Sequence, residues 1–410
     1  MINFSIYTIF TLYCAYAASF LEGDWFQVLV LIYLSILFIY KQKKIDNEIL
    51  IFFELWICVN VLALLLNRGD EFSLLTLLSV TARMLFPYLM IKIVGPTFFK
   101  GLFKYWFFLC LLGFPFYLLE LAAPDFVQSL APRLNFMTQR LQTSLGGFYL
   151  FFYMHNYYSA TSYNVTNILR NSGFLWEPGA YSLVLIFMIV YNLLYNNYKV
   201  NWKTIFLIIC LFTTFSTSGY LAFFFIIFFY LFKNDKFYKN HKAILPVLVI
   251  VTLFAGITFY SSVDFMSNKI NRYIEAGTNT YMFESKEYNI FRTSRLGIAI
   301  MSIENSLQDP WGDGVVVSDY MIDKYHNPQG PNSLAIILQQ WGWIGLLVLF
   351  YCLYMFKVRG ERCGLLLMIP LSFPLFSNPF TFMILIYAIV FSVLCIPEMK
   401  YEIEIEDDKN

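Results

Sequence analysis

The chain has 410 residues, of which 59% are hydrophobic, 20% aromatic and only 13% charged, and its mean hydropathy is +0.61. It is too apolar and too sparsely charged for an ordinary water-soluble domain. A formal net charge of +1 also excludes the basic footprint that nucleic acid requires.

Residues 2–20 open a series of apolar runs close to the roughly 20 residues that cross a ~30 Å hydrocarbon core. This first run lacks a basic leader and a small-residue cleavage site, so it reads as a retained helix. Further runs cover 24–40, 48–66, 72–94, 103–122, 179–197, 202–216, 218–232, 243–261, 332–356, 363–376 and 379–396. The expected fold class is therefore an all-α polytopic membrane protein of about twelve transmembrane helices, one membrane domain over residues 1–410. Polar segments at 123–178 and 262–331 interrupt the pattern, and residues 397–410 form an acidic tail, read as a solvated end.

Lysine positions orient the spans, because short cytoplasmic loops are enriched in basic residues. Lys41, Lys43 and Lys44 follow the second span, Lys100 and Lys104 the fourth, Lys199 and Lys203 the sixth, Lys233, Lys236, Lys239 and Lys242 the eighth, and Lys357, Arg359 and Arg362 the tenth. Both termini are then cytoplasmic, and 123–178 and 262–331 become two outer, periplasmic loops. This parity requires 202–216 and 218–232 to be two short helices rather than one long one. Arginine behaves oppositely: Arg133, Arg140, Arg170, Arg272, Arg292 and Arg295 all fall in the outer loops. A planar five-donor fork suits phosphate and carboxylate better than an ammonium does, so the outer face is equipped for an anion.

The seven cysteines lie in apolar runs or at their ends with no C-x-x-C pair, which argues against disulfides and zinc. There is no Walker loop, H-E-x-x-H, G-x-S-x-G or outer-loop D-x-D, so no metal or other cofactor is expected.

Three constellations are candidates for chemistry. In R-N-S-G-F-L-W-E-P-G-A-Y-S, residues 170–182, Pro178 suits the first turn of a helix and Glu177 sits at its positive end. Glu177 is then either a helix-start residue beside an anchoring Arg170, or an orienting partner or general base beside an anion ligand. In F-R-T-S-R-L-G, residues 291–297, Arg292 and Arg295 are three apart and share a face of a helix running through Leu307. They serve either an exposed amphipathic surface or one diphosphate. In Y-H-N-P-Q-G-P-N-S-L, residues 325–334, His326 is either structural or a proton acceptor near neutral pH. Arg83, inside an apolar run, costs ~2.5–3.5 kcal/mol unless it faces the bundle interior or a wet cavity, so it either pairs with Glu54 or Glu120 or joins the anion site. The aromatic stretch 146–163 reads as a membrane-surface belt or as a stacking platform for sugars.

The order of these features resembles the O-antigen polymerase (Wzy-type) family, within the wider group that includes the O-antigen ligases. The resemblance is carried by R-N-S-G-F-L-W-E-P at 170–178, S-T-S-G at 216–219, R-T-S-R through W-G-D-G at 292–314, and H-N followed by N-S-L-A-I-I-L-Q-Q-W-G-W-I-G over 326–345. It covers roughly residues 165–356, and the first five spans match only in being apolar. The resemblance implies a GT-C-like glycosyltransferase of the bacterial inner membrane. Such an enzyme takes a growing glycan on undecaprenyl diphosphate as donor and a sugar hydroxyl of the next lipid-linked repeat unit as acceptor. A chain-length regulator protein is an implied partner. On that reading Arg170, Arg292, Arg295 and Arg83 bind the diphosphate, His326 or Glu177 takes the acceptor proton, and Arg140, Tyr157, Tyr325 and Asn327 contact glycan. Ligases of the group often carry an arginine directly after the hairpin serine, where this chain has Gly219, which favours polymerase. A lipid-oligosaccharide flippase or transporter is the non-enzymatic alternative, and should line its helices rather than its loops with polar groups.

Overall fold

A computed structural model describes residues 2–15, 24–65, 74–126, 146–148, 153–155, 169–175, 177–233, 295–315, 332–377 and 384–396. The N-terminal part holds α1 (Ile2–Cys14), α2 (Asp24–Tyr40), α3 (Asn47–Leu65), α4 (Leu74–Val94) and α5 (Phe98–Ala122). After a short antiparallel pair, β1 (Gly146–Phe148) and β2 (Tyr153–His155), come α6 (Pro178–Tyr195), α7 (Trp202–Thr213) and α8 (Thr217–Lys233). The C-terminal part holds α9 (Arg295–Gln308), α10 (Ser333–Met355), a two-residue hairpin of β3 (Lys357–Val358) and β4 (Glu361–Arg362), then α11 (Leu365–Ser377) and α12 (Ile384–Leu394).

Among the described residues, α3, α4, α5, α6 and α10 are long and apolar enough to cross a membrane, and six shorter helices are also apolar. The chain is thus a mostly helical membrane protein. The apolar run at 243–261 lies outside the described residues, as do most of 123–168, residues 262–294 and 316–331, and the acidic tail. Two small strand pairs depart from the all-α expectation. One falls within the aromatic stretch 146–163, the other in the basic turn after α10.

The helix apolar all round sits in the middle, as burial requires. In α6, 83% of the span is buried inside the protein, against 22% in α3, which faces outward over most of its length. Leu183, Leu185, Phe187 and Ile189 of α6 are buried on successive sides. Around it, α7, α8 and α11 pack on α6, α8 packs on α11, α2 and α12 pack on α4, and α9 lies along α10. Trp106 of α5 reaches the core with its indole Nε1 donating to Thr11 Oγ1 of α1 at 2.9 Å, so its polar handle is satisfied where water is absent.

Local chemistry sets several helix ends. Asn201 caps α7 by accepting from Thr204 N at 3.0 Å, and Asn332 caps α10 by accepting from Ala335 N at 3.1 Å. The helices α7 and α8 are separate, divided at Thr214–Ser216, as the lysine parity requires. Inside α10, Gly342 (φ 62°, ψ −163°) breaks the helix. The D-P-W-G-D-G turn docks there: Asp313 N donates to Gln339 O at 2.7 Å, Gly314 N to Gln340 O at 3.1 Å, and Trp343 N to Pro310 O at 3.2 Å. A Cβ at Gly342 would overlap the Pro310 carbonyl, so only glycine meets both the left-handed backbone and the close approach.

The basic residues gather at one end of this core. Arg359, in the β3–β4 turn, donates from Nη1 to Tyr195 O at 3.2 Å and lies 5.3 Å from that tyrosine's ring centroid, with Lys100 5.5 Å from the same ring. Lys199 follows α6 and Lys233 ends α8 at this end. The opposite ends of α6 and α8 carry the candidate site.

Candidate functional site

A small polar pocket, with a cavity volume of about 50 Å³, is lined by Arg170, Glu177, Pro178, Gly179, Ser216, Thr217, Ser218, Arg295 and Ser377. Arg295 brings α9 to its wall, and two helices start there, α6 at Pro178 and α8 at Thr217. Each contributes N–H groups that lack intrahelical acceptors and the positive end of a macrodipole. Ser377 of α11 lines the remaining side.

Residues 169–175 hold Arg170 over this opening. Asn171 N donates to Thr213 O at 3.0 Å and Asn171 Nδ2 to Thr213 Oγ1 at 2.9 Å, which straps the segment to the end of α7. Tyr117 of α5 donates to Leu169 O at 3.1 Å. Gly173 has φ +52°, and a Cβ there would overlap the buried Tyr181 ring, so the segment turns against α6 only with glycine at this position. Arg170 Nε donates to Thr214 O at 3.0 Å, fixing the plane of the guanidinium.

Arg295 enters the pocket from α9. Its backbone is gripped from α10, since Asn332 Nδ2 donates to Arg295 O at 3.0 Å while Asn332 Oδ1 caps α10. Burial pushes the Arg170 guanidinium down to about 10, the Glu177 carboxylate opposes that shift, and the Arg295 charge adds to it. Arg170 thus remains cationic near neutral pH, and the Arg295 charge lies close enough to repel it.

Ser216, Thr217 and Ser218 form the third wall. Ser182 Oγ on α6 donates to Gly179 O at 2.7 Å and to Ser216 Oγ at 3.2 Å. Ser216 Oγ in turn lies 3.2 Å from Ser218 Oγ and accepts from Gly219 N at 3.3 Å. A hydroxyl chain therefore ties the start of α8 to the start of α6. Glu177 stands in extended backbone just before Pro178, and its carboxylate does not cap α6.

Of the candidate residues named from the sequence, Arg170, Glu177 and Arg295 meet in this pocket although they are far apart in the chain. Arg83 is not among the lining residues: its Nη2 donates to Ser79 Oγ at 3.2 Å, and Ser79 donates to Gln27 Oε1 at 3.0 Å. Glu54, offered as its partner, is exposed, whereas Glu120 is buried on α5. His326, Arg292, Arg140, Tyr157, Tyr325 and Asn327 lie outside the described residues. The S-T-S wall, Gly179 and Ser377 are additions that residue type did not single out. Three hydroxyl residues between two apolar runs were the available signal for the wall, and Ser377 had none.

Comparison with family models, with curated proteins and with solved structures finds no match.

Proposed function

We propose that this pocket holds the diphosphate of a lipid-linked glycan and that the chain is a GT-C-like membrane glycosyltransferase. On this reading it polymerises undecaprenyl-diphosphate-linked oligosaccharide repeat units into O-antigen or a related surface polysaccharide, at the outer face of a bacterial inner membrane. About twelve spans, cytoplasmic termini and a chain-length regulator as partner belong to the same proposal. One observation carries it: two arginines and two helix N-termini converge on a single pocket, at the end of α6 and α8 remote from Lys199 and Lys233. Helix N-termini and arginine forks are the two standard protein devices for binding phosphate. The pocket is also assembled from the segments on which the family resemblance rests.

In the proposed reaction an acceptor sugar hydroxyl attacks the anomeric carbon of the donor. The bond from that carbon to the diphosphate oxygen breaks, and the electron pair leaves on undecaprenyl diphosphate. Arg170 and Arg295 stabilise the charge that develops there, a contribution of ~2.7–4 kcal/mol per preorganised donor. The acceptor proton passes to Glu177, already at the pocket wall, or to His326.

The deciding experiment incubates the purified protein, reconstituted in vesicles, with lipid-linked repeat units and lipid A core and no ATP. Products of two or more repeats support polymerisation. Transfer of a glycan to lipid A core without elongation indicates a ligase, and movement of the lipid across vesicles without any glycosidic bond formation sinks the enzymatic reading.

A further inference from the structure

One face of α3 is committed to this protein. Trp56 Nε1 donates to Thr81 Oγ1 at 3.1 Å, the Trp56 ring stacks on Trp341 with centroids 4.5 Å apart, and Phe52 meets Phe391 edge-on at 5.0 Å. Asn60, one turn on, accepts from Val315 N at 2.9 Å. The opposite face runs through Leu50, Ile51, Glu54, Ile57, Cys58 and Val61, all exposed. At roughly 100° per residue Glu54 stands about 160° around the helix from Trp56, at the centre of that outward face.

Depth makes this carboxylate anomalous. The described part of α3, 19 residues, extends about 28 Å, and the apolar run it carries is bounded in the sequence by Glu48 and by Asn67 and Arg68, close to the thickness of the hydrocarbon core. Glu54 is seven residues from Asn47, hence about 10 Å inside the helix end, and its two-methylene stem is short. Lys104 is also exposed, but α5 has 25 residues, about 37 Å, and its overhang together with a long lysine stem brings that ammonium to the interface. Arg83 and Lys92 on α4 turn instead to Ser79 and Asp46. The outward face of α2, with Val28, Leu29, Ile32, Ile36 and Ile39 exposed, carries no ionisable group. Ionisable side chains inside a membrane face protein or water and pair with one another, not with lipid.

We propose that the Glu54 face of α3 docks a transmembrane helix of a separate membrane protein, and that this helix carries a Lys or Arg about 10 Å from the membrane surface nearest Asn47. A second copy related by a two-fold axis would set Glu54 against Glu54, so charge complementarity selects a cationic partner. The inference rests on the membrane helices alone and is independent of the glycosyltransferase reading.

Cys58, one turn from Glu54, is the exposed cysteine while the other six are buried, which makes it a built-in reporter. The full-length protein is reconstituted with a Leu-rich transmembrane peptide bearing one Lys about 10 Å from its end and one cysteine facing Cys58, or with the same peptide carrying Leu for Lys. Disulfide yield at Cys58 should favour the Lys peptide by about three- to tenfold, the scale of interhelical polar pairs. Glu54→Gln should abolish the preference and Glu54→Asp retain it, with equal maleimide labelling of Cys58 showing that α3 is in place in every variant. Equal yields from the two peptides, a Lys preference that survives Glu54→Gln, or Cys58–Cys58 dimers in place of the peptide adduct overturn the proposal.

Discussion

Replacing Arg170 by Ala separates a binding role from a structural one, because the two make opposite demands on stability. The guanidinium donates a charge-assisted hydrogen bond to Thr214 O, a type of bond that contributes about 1.5–3 kcal/mol, and is attracted by the Glu177 carboxylate. Against this, burial has lowered its pKa to about 10, a sign that the folded protein pays a desolvation cost to keep the cation there. The two effects offset, and Arg170→Ala should leave unfolding stability within about 1 kcal/mol of the parent. Transfer should fall far more. Removing one of the two arginine donors facing a leaving diphosphate costs ~2.7–4 kcal/mol, or roughly 100- to 1000-fold in rate. Arg170→Lys keeps the charge but loses the fork and its anchored plane, so an intermediate rate is expected. The assay is the ladder of glycan lengths formed by purified protein from lipid-linked repeat units, run beside thermal unfolding in the same detergent. A normal ladder from a stable Arg170→Ala variant would refute the diphosphate role. A lost ladder accompanied by a large drop in unfolding temperature would refute the offset.

Binding of inorganic diphosphate, followed by calorimetry, should weaken as pH rises above about 10, where the anion is already fully ionised and Arg170 loses its charge. The anion raises the pKa of the Arg170 guanidinium from its lowered value, so the bound state holds a proton that the free state loses as pH rises through that value. Unchanged affinity well above pH 10 would remove Arg170 from the site. Glu177→Gln removes a negative charge from the same wall, so diphosphate affinity should rise while kcat falls about 100-fold or more if this carboxylate takes the proton. Retention of kcat there, with loss on His326→Ala, would assign the proton to the histidine. Gly342→Ala should lower stability by about 1–3 kcal/mol from the left-handed backbone alone, with more from overlap with Pro310 O, measured as a fall in unfolding temperature. No change would mean that the 309–314 turn does not lock onto the break in α10.

How much of this could be read from the chain depended on the range of the interaction concerned. Apolar runs near membrane length follow from composition within each segment, and the described helices start or end close to the expected bounds over residues 24–65, 74–122 and 178–233. Pro178 at the first turn of α6 and the split between α7 and α8 are equally local, set by a fixed φ and by a short polar insertion. The small strand pairs at 146–155 and 357–362 were not legible, because hairpin hydrogen bonds depend on register and not on hydropathy.

By itself the sequence established a helical membrane protein with arginines concentrated where lysines are few, since the cost of placing charge in or beside a bilayer depends on each residue's own chemistry. Tertiary structure alone decided which arginines share a pocket. Arg170 and Arg295 are 125 positions apart, and they meet only because Asn171 straps one segment to α7 while Asn332 grips the other from α10. It also decided that Ser216, Thr217 and Ser218 complete the wall, that Arg83 turns to Ser79, and that Glu54 looks outward. Those outcomes rest on contacts between helices, whose directions no single segment encodes.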